Sequence, residues 1–172
     1  MSDAVDALHP SARRVTDWAA KRGLTIEVLE YPDDGARTAE DAAAAVGCLV
    51  DQIVKSMIFA GRSATPEPAD DELLLALTSG VNQVDGSALA ALAGTGRCGR
   101  ADAEAVRSAT GYAIGGVPPF GHHTPLRTWV DPHLLGFDVV WAAAGTPRHV
   151  FAIEPATLVE LTGAEPGAFT RS

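Results

Sequence analysis

The chain has 172 residues, enough to bury one proper core and short for two. Hydrophobic residues make up 47% and charged residues 20%, an ordinary globular composition, and no apolar run approaches the roughly 18 residues of a membrane-spanning helix. The formal net charge of −9 argues against extended wrapping of nucleic acid, which needs a basic face to release counterions from phosphates. A short contact with an RNA end, through a few arginines such as Arg97, Arg100, Arg107, Arg127 and Arg148, is compatible with it.

The acidic start, Met1 to Asp6, lacks the basic-then-apolar pattern of a secretory signal, so the expected compartment is the cytosol. Residues 11–22 place Val15, Trp18 and Ala19 on one helical face, with Gly23 as the stop. Residues 25–31 alternate and read as a strand, and Pro32-Asp33-Asp34-Gly35 reads as a turn. Thr38 and Asp41 form a capping-box pattern that opens an Ala-rich helix over 39–46, closed by Gly47. Residues 53–60 make an apolar strand interrupted by one lysine, 62–71 an exposed hairpin loop, and 72–79 the returning strand.

Asp85 caps a short helix to Ala93, and Asp102 caps another to Ala109. The glycine- and proline-rich stretch from Gly111 to Pro125 is expected to be a shaped loop. Residues 126–131 form a strand, and Pro132 can start a helical turn. The runs 138–143 and 148–153 form a hairpin, Pro155 begins a helix to about Leu161, and the tail after Gly163 is expected to be loose. Helices and strands mix without regular βαβ alternation, so the expected fold is a single α+β domain over 1–172, with its core at about 10–162.

Lys55 is one of two lysines and sits inside Ile53-Val54-Lys55-Ser56-Met57-Ile58-Phe59. Its ammonium must reach solvent, a partner or a ligand, because an unpaired buried charge is too costly. It either snorkels from a half-exposed strand or serves a site. In Gly115-Gly116-Val117-Pro118-Pro119-Phe120-Gly121-His122-His123, two glycines let backbone amides approach a ligand and two prolines hold the turn open. Such a loop can offer N–H donors to a carbonyl or phosphate oxygen, or can be a rigid connector that packs Phe120 into the core. His122, His123, His133 and His149 match no standard zinc spacing. There is no G-x-S-x-G, and Cys48 and Cys98 lie outside any CxxC pattern, so reduced thiols are the simpler reading although a disulfide stays open.

Together these segments resemble the YbaK/EbsC family, the prolyl-tRNA synthetase associated editing domain. The matches run in order through Thr38-Ala39-Glu40-Asp41-Ala42-Ala43 with Gly47, Ile53-Val54-Lys55-Ser56, Val84-Asp85, Thr110 to Gly121, and Val130-Asp131, and they span about residues 10–160. The resemblance implies a mixed, strongly curved sheet surrounded by helices. It also implies an enzyme without cofactor or metal that deacylates mischarged tRNA, most often tRNA-Pro carrying alanine or cysteine. Lys55 would lie beside the terminal adenosine, and the amides of Gly115 and Gly116 would hold the ester carbonyl. Water, or the substrate's own thiol, would attack.

Tyr31, Pro118, Pro119, Phe120, Gly121, His122 and Asp131 complete the implied substrate-binding set, although Asp131 can instead order its strand. Pro118 stands where cysteine-removing members often carry serine. The implied partners are the tRNA acceptor end and a synthetase or elongation factor that delivers it, with no membrane and no DNA. A non-catalytic binding module of the same fold, or a hydrolase for another small ester, are the other readings.

Overall fold

The computed structural model describes residues 8–31, 36–63 and 71–172. The expected turn at 32–35 and most of the expected loop at 62–71 lie outside the described residues. Helix α1 (Pro10–Ala20) starts where His9 Nδ1 accepts the Ser11 N–H at 3.1 Å, and it buries Ala12, Val15 and Ala19. The capping box of α2 (Ala39–Val46) forms as expected. Thr38 Oγ1 accepts the Asp41 N–H at 3.1 Å, and Asp41 Oδ2 accepts the Thr38 N–H at 3.2 Å, so the shorter aspartate fills the glutamate role. Asp85 and Asp102 cap α3 (Gly86–Ala93) and α4 (Ala103–Thr110) by accepting first-turn N–H groups.

The centre of the molecule is the antiparallel pair β2 (Ile53–Arg62) and β3 (Glu72–Ser79), in register from Val54 opposite Ser79 to Gly61 opposite Glu72. Around it lie β1 (Val28–Glu30), β6 (Arg127–Val130), β7 (Val140–Ala143), β8 (His149–Ile153) and β9 (Glu165–Pro166), in the order β1-β8-β7-β2-β3-β6-β9. A further strand, β5 (Arg97–Arg100), also pairs with β2. Parallel pairs (β2–β7, β3–β6, β6–β9) and antiparallel pairs share this sheet, so the α+β reading with a mixed sheet holds. Helix α5 (Pro155–Thr162) follows the β7–β8 hairpin. No helix among the described residues is long and apolar enough to cross a membrane.

Successive residues of β2 feed different cores, as the twofold period of a strand requires. Val54 and Ile58 join the large cluster with Val15, Tyr112, Phe120 and Phe151, whereas Phe59 joins Leu74, Leu89, Trp129 and Phe169. The strand expected at 25–31 is shorter, because only Val28–Glu30 find partners on β8.

The tail corrects the expectation of a loose end. After Gly163 the chain forms β9 on β6, and β10 (Thr170–Arg171) pairs with β4 (Gln83–Val84). Phe169 is fully buried between them, and Asp85 N–H donates to Phe169 O at 2.7 Å. A single buried aromatic near a chain end outweighs the polar, proline-containing composition around it. Phe169→Ala should therefore destabilise the domain by about 3–5 kcal/mol, read from the midpoint of urea unfolding. An unchanged midpoint would mean that the tail does not contribute to the core.

Candidate functional site

The outer edge of β2 is only partly paired. Ile53 and Val54 lie against Trp141 and Ala142 of β7, and Phe59 to Arg62 lie against β5. Between these two strands the sheet is split, and a cavity of about 390 Å³ opens onto β2. Consecutive residues from Ile53 to Ile58 line it, because the cavity meets an edge of the strand as well as a face. Helix α2 and Tyr31, the turn at Ile114 and Gly115, and the β7–β8 hairpin form the remaining walls.

Lys55 lines this cavity, and its Nζ donates to Asn82 O at 2.6 Å. Asn82 Nδ2 in turn donates to Asp131 Oδ2 at 2.9 Å. Asp131 is 2% exposed and also accepts the N–H groups of Ser79 at 3.1 Å and His133 at 2.9 Å. The structure thus puts Asp131 two links behind Lys55 and outside the cavity lining, in the strand-ordering position that the sequence reading sets beside substrate binding. Desolvation pushes the Lys55 ammonium below its ordinary value, with Arg100 adding to the shift, while Glu40 and Asp131 oppose it. Asn82 was not legible as a site residue, because its contact with Lys55 uses a backbone carbonyl and any residue type carries one.

The glycine–proline loop divides into a part that faces the cavity and a part that supports it. Gly115, at φ +94°, sits in the left-handed region required at the third position of a type II turn, and Gly116 N–H closes that turn on Ala113 O at 3.0 Å. Gly115 lines the cavity; Gly116 does not. A Cβ on Gly116 would stand 2.6 Å from Thr146 Cα, so this glycine lets the loop lie against the turn of the β7–β8 hairpin. The Gly116 amide, expected to hold the ester carbonyl, gives its hydrogen to the turn in this structure.

Pro118, Pro119 and Phe120 are buried and lie outside the cavity lining. Phe120 stacks on Trp18 at 4.6 Å between ring centres and tilts against Phe151 at 5.6 Å. Gly121 packs against Trp18, and its carbonyl accepts from Tyr112 Oη at 3.4 Å. His122 Nε2 lies 2.7 Å from Pro118 O. A carbonyl only accepts, so Nε2 carries the hydrogen, and burial pushes the ring toward its neutral form. These five residues, expected in the substrate-binding set, brace the loop and lie outside the cavity lining.

Tyr31 does line the cavity, and burial, with the nearby Cys48 adding to it, pushes its hydroxyl up to about 12. Three cations, Arg37, Lys55 and Arg100, also line it, and no carboxylate is among the described lining residues. Of the other arginines considered for an RNA contact, Arg127 is held by Glu72 at 2.7 Å and Arg148 by Glu30 at 3.3 Å. Thr146 and His149 were also missed. They meet the cavity with Thr146 Oγ1 and His149 Nδ1 2.5 Å apart, and burial pushes His149 below its ordinary value.

Fold and site together define an α+β domain whose cavity is built into an interruption of its sheet. The model of the aminoacyl-tRNA editing domain matches residues 33–170, and the chain belongs to that family. A proline–tRNA ligase of Nitratidesulfovibrio vulgaris (strain DP4) is 31% identical over 135 residues, covering 78% of this chain and 22% of the ligase. The chain therefore spans about a fifth of the length of that relative. The uncharacterized protein YwhH of Bacillus subtilis (strain 168) is 27% identical, over 86% of this chain and 85% of its own length. A solved structure described as a candidate trans-editing enzyme for prolyl tRNA synthetase superposes with a TM-score of 0.86 at 44% identity, covering 96% of this chain and 100% of that one.

Two substitutions separate scaffold from site. Asp131→Ala strands the buried N–H groups of Ser79 and His133 and should cost about 2–4 kcal/mol in urea unfolding. Lys55→Met removes a desolvated charge and should melt at or above the wild-type temperature. The folded state disfavours the charged form of Lys55, so the penalty is full below its folded-state pKa. It fades as pH rises from there to 10.5, the ordinary lysine value, and the advantage of Lys55→Met should shrink over that interval. A lower melting temperature for Lys55→Met at neutral pH would show that the ammonium is a net stabiliser.

Proposed function

We propose that the chain is a trans-editing aminoacyl-tRNA deacylase, acting on tRNA-Pro that carries a small wrong amino acid such as alanine or cysteine. The observation that carries this reading is the charge of the cavity. A chain of net charge −9 gathers Arg37, Lys55 and Arg100 around one concave site with no carboxylate among the described lining residues. A low-dielectric cleft lined by one sign of charge concentrates its counter-ion, and the terminal phosphate of an RNA is such an anion. The rest of the acidic surface favours a short contact with the acceptor end over a long one. A synthetase or elongation factor that hands over that end would suit the arrangement.

Lys55, held through Asn82 by Asp131, is pre-positioned to meet the terminal phosphate or the ester. Side-chain entropy is already lost before substrate arrives, which favours tight positioning. The walls at Val54, Ile58, Ala101, Val106 and Val117 are apolar and suit a small aliphatic side chain. An editing site is needed because a synthetase pocket built for proline discriminates against smaller residues by only about 1–3 kcal/mol. Water attacks the ester carbonyl, the bond to the ribose oxygen breaks, and that oxygen takes up a proton as the free tRNA end leaves.

Release of amino acid from tRNA-Pro charged with alanine, cysteine or serine is the direct test. Wild type should release at least one of them, with loss on the order of 100-fold in Lys55→Ala. Activity should also fall on the alkaline side at a pH below 10.5, where the desolvated ammonium loses its proton. No release by wild type, or equal release by Lys55→Ala, would favour a binding module or another substrate.

A further inference from the structure

The ammonium of Lys55 and the segment that follows α5 are held to one and the same peptide unit. Lys55 Nζ donates to Asn82 O at 2.6 Å, and the plane that carries this carbonyl also carries the Gln83 N–H. Gln83 belongs to β4, which pairs antiparallel with β10, Val84 opposite Thr170 and Gln83 opposite Arg171. Asp85 N–H donates to Phe169 O at 2.7 Å, which sets the phase of the pair. Bonded and non-bonded pairs alternate along such a ladder, so Gln83 and Arg171 are the next bonded pair and exchange both hydrogen bonds. No peptide bond among the described residues is cis, so the Asn82 C=O and the Gln83 N–H point in opposite directions. Arg171 O therefore grips one end of the peptide whose other end grips Lys55.

The same segment also holds the second support of that carbonyl. Strand β9 lies on β6 with Pro166 opposite Val130, and Gly167 N–H donates to Val130 O at 3.3 Å. The next residue along is Asp131, whose Oδ2 accepts from Asn82 Nδ2 at 2.9 Å. Residues 165–171 thus bridge β6, which leads into Asp131, and β4, which follows Asn82. Between the two contacts Phe169 is fully buried in one cluster with Leu74, Leu89 and Trp129, which anchors the bridge. Arg171 itself is exposed, so its pairing with Gln83 adds little burial. What the pairing adds is the direction of one carbonyl, and some strength, because a peptide bonded at its N–H is a better acceptor at its C=O.

We propose that residues 165–171 are a positioning strap for Lys55, acting through the backbone pair Gln83–Arg171. With the N–H end released, the Asn82 carbonyl can swing with its turn, and the ammonium exchanges a fixed partner for water. The hold on the ammonium exists before any substrate arrives; its consequence for deacylation rests on the reading above.

The chain has two lysines, Lys21 and Lys55, and Lys21 is exposed. With both side-chain nitrogens isotope-labelled, NMR reads the exchange of each ammonium with water, and Lys21 serves as the internal standard. In wild type, Lys55 should exchange about 10-fold more slowly than Lys21. Arg171→Pro removes the Arg171 N–H and sets a ring carbon against Gln83 O, while Phe169 stays in place. It should cut the difference to about threefold or less, with the Gln83 amide losing its protection. Arg171→Ala keeps the N–H and should keep the difference. A pairing that served stability alone would lower the melting temperature of Arg171→Pro and leave the Lys55 ammonium protected, which would overturn the strap. Equal exchange of the two lysines in wild type, a Gln83 amide still protected in Arg171→Pro, or an equal loss in Arg171→Ala would overturn it as well. On tRNA-Pro charged with whichever amino acid wild type releases, kcat should fall about fivefold in Arg171→Pro. An unchanged kcat with Lys55 unprotected would remove the strap from the reaction. The exchange measurement needs no tRNA, so a wild type that deacylates nothing sinks the deacylase reading and leaves the strap to be decided by exchange alone.

Discussion

Strand β2 is bonded along one edge by β3 and only at the two ends of its other edge, by β7 and β5. The cavity and the lysine that lines it both depend on that interruption. A sheet edge left open to water invites pairing with another chain, and proteins normally cover or blunt it. Here the open stretch is short, lies inside the molecule, and is roofed by α2, the glycine turn and the β7–β8 hairpin. A strand edge closed off in this way keeps its hydrogen-bonding capacity while losing the hazard.

The polar groups behind the cavity are organised so that few of them move. Asp131 takes three N–H donors from three separate segments and so ties the end of β3, the Asn82 turn and the start of the turn at Pro132 to one carboxylate. Lys55 is the cavity end of this network, and its partner is a backbone carbonyl that cannot rotate away. Fixed dipoles around a partly desolvated cation are the kind of preorganisation that serves recognition of an anion without rearrangement. The acidity of the rest of the chain is compatible with that role because three cations line the concave site.

The glycine–proline loop works largely as a buttress. Only its first turn reaches the cavity. The remainder is clamped by Phe120 between Trp18 and Phe151, by His122 on Pro118 O, and by Gly116 against Thr146. Rigidity of this kind holds the Gly115 turn at a set distance from β2 across the gap. The loop's sequence signals a shaped backbone; which of its faces meets a ligand depends on what lies on either side of it.

Local rules were enough for the elements whose cause is local. The Thr38–Asp41 box, the Asp85 and Asp102 caps, the β7–β8 hairpin and the alternation of β2 and β3 are written in neighbouring residues, and so was the isolation of Lys55 within an apolar strand. Tertiary structure decided the rest. The strands β4, β5, β9 and β10 are short, lack alternation, and exist because a distant partner offers hydrogen bonds. Thr146 and His149 join the cavity, and Asn82 holds its lysine, through the way distant segments pack, and Pro118 to His122 lie outside it where Phe120 is packed against Trp18 and Phe151. Ser56 shows the division most clearly: its side chain carries no sequence signal, and its place in the gap is defined only by where two other strands stop. By itself the sequence determined the class of fold and the lysine. The site's remaining members were set by packing, because hydrogen bonds and close approach between distant segments leave no periodicity in either one.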